Sequence, residues 1–471
     1  MSHKAISNPD EFRDHISTVN QDGGRIWVYP RYILGKFLTR RKVVAYTLWG
    51  FLVAGPWIKV GGEPLMLFNL VERKFIIFGQ IFWPQDTYLF VFAMLVFFLG
   101  VIVFTVVFGR LFCGWICPQT IFLEFIFRPI ERFFEGDSPA RIRLDKSDWT
   151  YAKFIRKSGK HISFFFISFF IANTFLAYVI GTEQLLEIIT DSPFNHLAGL
   201  WSMMIFTIIF YWVFSRLREQ VCSTICPYGR LQGVLIDSET VNVAYDYKRG
   251  EPRSLLKRTK TSLEPKGDCI DCSLCVQVCP TGIDIRNGLQ LECIHCTACI
   301  DACDSIMDKV NKPRGLITYA SENSLRENKS FSLSNRTRAY VGVLGVLSLV
   351  MLGLLFMRTS IELNVFRTPG MLYQVSESGE VSNLYHFVLV NKTSEVLGVV
   401  MVSPDENFEI EIVGNDYREI VLKPGVITEG VMFIRADIDE IDVGRNKIEL
   451  RLMSGEQMYA RSNTEFPAPF K

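Results

Sequence analysis

Hydrophobic and polar positions divide this chain into blocks with different periods. Four stretches carry no charged side chain over 19 to 21 positions: Tyr88–Phe108, Ile162–Ile180, Leu197–Ser215 and Ala339–Met357. A bilayer core needs about 20 apolar residues per helix, so each reads as a spanning helix. One such run could be a buried core helix, but four together are not explained that way. A shorter run, Val43–Ile58, holds Gly55-Pro56 near its end and is read as a fifth span. After the last span the period changes. Leu384–Val390, Val396–Val402, Ile410–Val413 and Lys447–Leu452 alternate or cluster β-branched and apolar residues. Between them lie the turn signals Ser403-Pro404-Asp405-Glu406-Asn407, Gly414-Asn415-Asp416, Pro424-Gly425, Gly444-Arg445-Asn446 and Ser454-Gly455. This spacing predicts an all-β, immunoglobulin-like sandwich from Arg358 to Lys471. It offers His386 as its one histidine and scattered methionines, so it reads as a packing or partner-docking module.

Charge then orients the spans. The N-terminal tail ends in Arg40-Arg41-Lys42, and the segment after the second run carries Arg110, Arg128, Arg132, Arg141, Arg143, Lys146, Lys153, Arg156, Lys157 and Lys160. The segment Gly181–His196 has no Lys or Arg, and the loop between the first two spans has only Arg73 and Lys74. Positive charge collects on the cytoplasmic side, which places the tail and the second and fourth connections inside and the C-terminus outside. The first forty or so residues are polar, so no cleavable signal peptide is expected. The chain therefore reads as a cytoplasmic tail (1–42), a four-helix membrane region (43–215), a cytoplasmic segment (216–338), a fifth span (339–357) and an exported β domain (358–471). Apolar content is 49% and the net charge only +1, which argues against nucleic acid as a partner.

Cysteine spacing supplies the chemistry. Of 12 cysteines, eight form two runs: Cys269-x-x-Cys272-x-x-Cys275-x-x-x-Cys279-Pro280 and Cys293-x-x-Cys296-x-x-Cys299-x-x-x-Cys303. Three thiolates at steps of three, with a fourth further on, are the ligand pattern of a two-cluster ferredoxin. The fourth cysteine of each run serves the other cluster. Cys269, Cys272, Cys275 and Cys303 are thus expected around one [4Fe–4S], and Cys293, Cys296, Cys299 and Cys279 around the second. Asp304 stands where the second run would usually carry proline. Zinc sites pair two separated Cys-x-x-Cys elements and need no third cysteine at the same step. A disulfide framework is disfavoured by the geometry that bridges demand. The runs lie on the cytoplasmic side, where thiols stay reduced, and the exported domain has no cysteine.

The other four cysteines repeat one motif: Cys113-Gly114-Trp115-Ile116-Cys117-Pro118 and Cys222-Ser223-Thr224-Ile225-Cys226-Pro227. Each follows a span and has an Arg-Leu upstream, Arg110-Leu111 and Arg216-Leu217, as a duplicated two-helix unit would. Proline disfavours α conformation in the residue before it, so each pair is expected at a helix end or turn. Three roles fit these thiols. They could bind Cu(I), cycle between dithiol and disulfide, or hold a further iron–sulfur cluster or zinc. The bland alternative is four small buried apolar side chains.

The stretch Phe108-Gly109-Arg110-Leu111-Phe112-Cys113-Gly114-Trp115-Ile116-Cys117-Pro118, the second Cys-x-x-x-Cys-Pro, the five spans and the eight-cysteine runs together resemble the CcoG/FixG/RdxA type of cytochrome c oxidase accessory protein. The resemblance covers nearly the whole chain and implies a polyferredoxin-like protein of the bacterial inner membrane. It implies a cupric reductase that serves assembly of a cbb-type haem–copper oxidase, with Cys113, Cys117, Cys222 and Cys226 as copper-handling thiols. Copper would be substrate or ligand, lipid and oxidase-assembly or copper-transport proteins the partners, and the electron donor is unidentified. Two other readings stand beside it: a conduit from quinol to a periplasmic reductase, and a non-enzymatic copper chaperone whose clusters are structural.

The remaining candidates have plainer readings. His161 and His196 fall near opposite membrane faces and so are not expected to share a haem. His295 reads as a neighbour that tunes a cluster rather than a ligand. Trp57, Trp83 and Trp149 read as interfacial aromatics. The segment Arg128–Lys160 reads as an anchor on anionic lipid. Gly61–Trp83, with Glu72-Arg73-Lys74, is left open between interfacial and re-entrant structure. No Gly-rich nucleotide fingerprint follows a predicted strand.

Overall fold

The computed structural model describes residues 17–20, 22–69, 74–82, 87–192, 194, 196–254, 267–327, 333–368, 373–376, 379–393, 395–414, 419–442 and 444–469. The chain divides into two units. One contains Met1–Ala54, Val91–Ala177 and Thr182–Leu349; the other contains Gly55–Phe90, Tyr178–Gly181 and Val350–Lys471.

Among the described residues, five helices are long and apolar enough to cross a membrane: Thr87–Phe108, Leu111–Glu135, Tyr151–Ile180, Leu197–Leu217 and Asn335–Phe356. Four cover the uncharged runs, short only of Met357, and are lengthened mostly at their polar ends. The fifth differs from the sequence reading. Val43–Ala54 of the run read as Val43–Ile58 lies in one helix, Lys36–Ala54, whose first turns carry Lys36, Arg40, Arg41 and Lys42. Gly55 and Pro56 stop it at Ala54 by denying helical geometry to the next residue. Leu111–Glu135 qualifies by length and composition, yet both its ends return to one segment: Cys113 packs with Cys222, and Glu131 pairs with Arg218. Within it short helices Leu111–Trp115 and Pro118–Phe122 flank the Cys117-Pro118 break, followed by a π turn, Leu123–Phe127, and the helix Arg128–Glu135.

That broken element fills the middle of the first unit. Ile121, Phe122, Leu123, Phe125 and Phe127 pack with Ala45, Phe164, Ile171 and Phe214 in one core. Phe127 stacks on Phe214 at 4.5 Å between centroids and meets Phe164 edge-on at 4.8 Å. Below the apolar layer lies a buried ionic layer. Arg218 forks onto Glu131 at 2.7 and 3.0 Å, Arg141 reaches Glu131 at 2.8 Å, Lys160 meets Glu135 at 2.8 Å, and Arg25 meets Glu219 at 2.9 Å. So Arg128, Arg141, Lys157 and Lys160 of the basic segment each pair with a carboxylate inside the protein.

In the second unit, Ile361–Arg367, Glu380–Asn391, Ile427–Asp437 and Glu409–Ile412 form an antiparallel sheet, with Gln374–Val375 pairing onto Glu380–Asn391. A second sheet runs Glu419–Leu422, Leu397–Val402, Arg445–Ser454, Gln457–Pro467. Inward residues of both, among them Tyr385, Leu389, Met432, Ile434, Leu450 and Phe466, form one core. Gly61–Trp83, left open by the sequence, contains a three-stranded antiparallel meander of Met66–Asn69, Lys74–Ile77 and Gln80–Phe82. Glu72, Arg73, Trp83, Asn415 and Asp416 lie outside the described residues. Trp57 and Trp149 are exposed.

Candidate metal centre

The eight-cysteine segment is bracketed by a strand pair, Asn242–Tyr245 against Ile317–Ala320. Within it the two runs repeat one backbone. Asp271 and Ser273 flank Cys272 with φ of 52° and 54°; His295 and Thr297 flank Cys296 with 52° and 60°. Left-handed residues on both sides of the middle cysteine turn the chain tightly, so that three sulfurs face one side instead of continuing along a helix. A short helix follows each bend, Leu274–Gln277 and Ala298–Lys309.

Two cavities result. Cys269, Cys272, Cys275 and Cys303 line one, walled by Leu274, Ile306, Met307, Leu316 and Ile317. Cys279, Cys293, Cys296 and Cys299 line the other, with Val243, Ile283, Ile285 and Ile294; Cys275 borders this one too. Cys272 is exposed, whereas Cys293 and Cys296 are buried. Burial pushes the thiols of Cys275, Cys293 and Cys303 up to about 12 and that of Cys296 to about 11. Thiolates in so apolar a setting require a cation to hold them, and four soft sulfurs per chamber with aliphatic walls suit an iron–sulfur cluster. The residues fit the group. Among the described residues no three His, Cys, Asp or Glu side chains converge where a single ion would sit.

The two Cys-x-x-x-Cys-Pro motifs end as the proline requires. Cys117 (φ −57°, ψ 125°) and Cys226 (φ −67°, ψ 115°) are extended N-caps, each followed by proline in the first helical turn of Pro118–Phe122 and Pro227–Leu235. The motifs come together. Burial pushes the Cys222 thiol up to about 12, with the sulfurs of Cys117, Cys113 and Cys226 each adding to the rise. Cys113 and Cys222 also pack in one cluster with Ile294, Cys296, Ala298 and Tyr228. One thiol pair therefore abuts a ligand-bearing loop of the second chamber.

Glycines permit that approach. A Cβ on Gly114 would lie 2.3 Å from the Ile294 carbonyl oxygen, and one on Gly109 (φ 55°) would lie 2.7 Å from the His295 ring. His295 is buried and held down to about 4 by burial and by the charge of Arg110, with the Phe108 carbonyl accepting its hydrogen bond. Trp115 Nε1 donates to the Tyr319 hydroxyl at 3.2 Å, and Arg41 Nε donates to the Gly114 carbonyl at 3.0 Å. From the ionic layer, Arg128 donates to the Pro280 carbonyl at 3.4 Å, beside Cys279. Asp301, between Cys299 and Cys303, accepts the amides of Phe37 at 3.1 Å and Leu38 at 2.8 Å and so caps the first helix.

Sequence reasoning passed over Arg41, Gln232, Tyr228 and Asn242, which complete this site; only the Arg-Leu preceding each motif hinted at Arg110. His161 and His196 have local partners: His161 Nδ1 the Tyr211 hydroxyl at 2.9 Å, and His196 the Asp191 carboxylate at 3.1 Å.

Comparison with known proteins agrees with this geometry. A family described as a 4Fe-4S dicluster domain matches residues 217–322. One described as a 4Fe-4S binding domain matches 90–136, which hold Cys113 and Cys117. A third, the IG-like fold at the C-terminal of FixG, matches 351–469. The chain is 35% identical to Protein RdxB of Cereibacter sphaeroides over 78% of its own length and 80% of that protein. It is 33% identical to Protein RdxA of the same organism, over 78% and 80%. With the nitrogen fixation protein FixG of Rhizobium meliloti the identity is 32%, over 78% and 77%.

Proposed function

The chain belongs to the FixG and RdxA family of iron–sulfur electron-transfer proteins of membranes, and on that premise we propose that it reduces Cu(II) to Cu(I) at the thiols of Cys113, Cys117, Cys222 and Cys226. The observation that carries the reading is the packing of Cys113 and Cys222 against Cys296 and Ile294. In this reading Cys269, Cys272, Cys275 and Cys303 hold one [4Fe–4S] cluster, and Cys279, Cys293, Cys296 and Cys299 hold the other. When bound, such clusters supply single electrons at low potential. Each Cu(II) takes up one electron, delivered from an external low-potential one-electron donor, and becomes Cu(I). Soft thiolates bind the reduced ion better than the oxidised one, so the four sulfurs favour the product. The apolar surroundings of Cys113 and Cys222, with Ile294 and Tyr228, limit water at that contact. The Cu(I) so formed would serve assembly of a cbb-type haem–copper oxidase. Asymmetric Lys and Arg in the connections support a bacterial inner-membrane placement, with the cluster segment cytoplasmic and the β domain periplasmic.

A second reading is favoured by the iron–sulfur family match over 90–136: the same four cysteines hold a further cluster. One experiment separates the two. All four cysteines are replaced by serine in the full-length protein, and iron and Cu(II) reduction are measured, the latter with a Cu(I)-selective chromophoric chelator. The copper reading expects reduction to vanish while iron stays at about eight per chain. A fall from about twelve irons to about eight supports the further cluster. Unchanged Cu(II) reduction sinks the copper reading.

A further inference from the structure

Two arginines beside the contact between the thiol motifs and the second chamber are buried without a carboxylate. Arg110 is 3% exposed. Its Nε donates to Gln232 Oε1 at 2.7 Å, Nη1 to the Leu291 carbonyl, and Nη2 to the Cys222 carbonyl at 3.4 Å. Gln232 Oε1 also accepts from Cys113 Sγ at 3.6 Å. Arg41 is likewise 3% exposed, donates to the Gly114 carbonyl, lies over the Phe125 ring and leaves Nη2 without a partner. Among the described residues neither is in an ion pair. The other buried arginines of this unit differ: Arg128 pairs with Glu124, Arg141 with Glu131, and Arg218 with Glu131. The first chamber differs as well. Its arginine, Arg286, is neutralised by Asp284 at 2.7 Å and Asp271 at 2.5 Å.

An isolated buried charge costs several kcal/mol, so two beside one contact call for negative charge from somewhere. Sulfur stands beside both: Gln232 Oε1 joins Arg110 Nε to Cys113 Sγ, Arg110 Nη2 meets the Cys222 carbonyl, and Arg41 Nε meets the Gly114 carbonyl next to Cys113. We propose that Arg41 and Arg110 are positioning residues that supply counter-charge to an anionic metal–thiolate centre spanning the second chamber and the Cys113/Cys222 contact. A thiolate-ligated cluster is anionic and becomes more so on reduction. Unpaired positive charge at one chamber and neutralised charge at the other therefore makes the second chamber the more favourable resting place for an electron. The same charge holds the thiolates that bind Cu(I), a half of the inference that rests on the proposed function.

The test uses full-length protein with its clusters, first without copper. EPR-monitored redox titration follows each cluster, the signals being assigned with Cys272→Ser, which alters the first chamber alone. Arg110→Gln and Arg41→Gln are expected to lower the potential of the second-chamber cluster and leave the first unmoved; Arg110→Lys and Arg41→Lys keep most of the wild-type value. Equal shifts in both clusters, or in neither, overturn the inference. If a glutamine variant loses iron, its lysine counterpart decides: a wild-type potential there upholds the charge role, and one lowered in the second chamber refutes it. Cu(I) affinity is then read by chelator competition, with a loss of about tenfold expected in each glutamine variant. A wild-type protein that binds no Cu(I) refutes the copper reading, while the potential shifts still stand or fall by themselves.

Discussion

Replacing Gly114 by alanine should push the first thiol motif off the second-chamber loop. The added Cβ would stand 2.3 Å from the Ile294 carbonyl oxygen and 2.9 Å from both the carbonyl carbon and oxygen of His295. All three are backbone atoms, so no rotamer change relieves the clash. Ordinary contact begins at 3.4 Å, and 3.4 − 2.3 gives a required separation of 1.1 Å. Forcing one methyl group into a packed contact costs about 1–3 kcal/mol. The assay is thermal loss of visible iron–sulfur absorbance in the purified full-length protein. The control is Gly345→Ala in the helix Asn335–Phe356, where a Cβ would meet nothing within 4 Å. Gly114→Ala should melt earlier than both wild type and control, and reduce Cu(II) more slowly at temperatures where its clusters are retained. If it melts with the control at an unchanged rate, the close approach has no energetic weight and the reasoning fails.

Glu131→Gln should cost about 3–5 kcal/mol, because it strips charge from a buried carboxylate that pairs Arg218 and Arg141; a Tm like that of wild type would contradict this. Asp301→Ala should cost about 0.5–2 kcal/mol and speed amide exchange at Phe37 and Leu38, with Asp301→Asn keeping most of the protection. Equal exchange in all three proteins would show that the cap is idle. Tyr385→Phe should lower sandwich stability by about 1 kcal/mol, since the hydroxyl donates to the Glu465 carbonyl at 2.8 Å inside the core. Calorimetry of the full-length protein would register it as a shift in one transition only.

What was legible in the sequence depended on local pattern. Runs near twenty uncharged residues marked four helices because the requirement is set by length and composition alone. Leu111–Glu135 escaped because Cys117-Pro118 interrupts it and Glu124, Arg128 and Glu131 sit inside it. Glu124 and Arg128 pair with each other, while Glu131 and Arg128 also find Arg218 and Glu219, partners far away in sequence. In the sandwich, Leu384–Val390 was visible by its β-branched content. Gln457–Pro467 was not, being rich in polar residues that alternate with few apolar ones. Extended geometry at Cys117 and Cys226 followed from the next residue being proline. Arg41 and Arg110 could not be singled out among 50 basic residues, since what marks them is the lack of a carboxylate across a three-dimensional contact.

The cap on the first helix has a consequence for how the chain is made. Asp301 holds the amide of Phe37 across 264 residues of sequence, and Ser17 reaches the Thr281 carbonyl across the same separation. At about 5–20 residues per second, a ribosome that has finished Phe37 needs roughly 13–53 s more to reach Asp301. Once Ala54 has been added, the helix Lys36–Ala54 spends the rest of that interval with its N-terminal amides unclaimed by Asp301. Its locking is therefore a late event in biosynthesis, gated by closure of the cysteine-rich loops. Proteolytic sensitivity just upstream of Lys36 in nascent or iron-starved chains would report whether that closure has occurred.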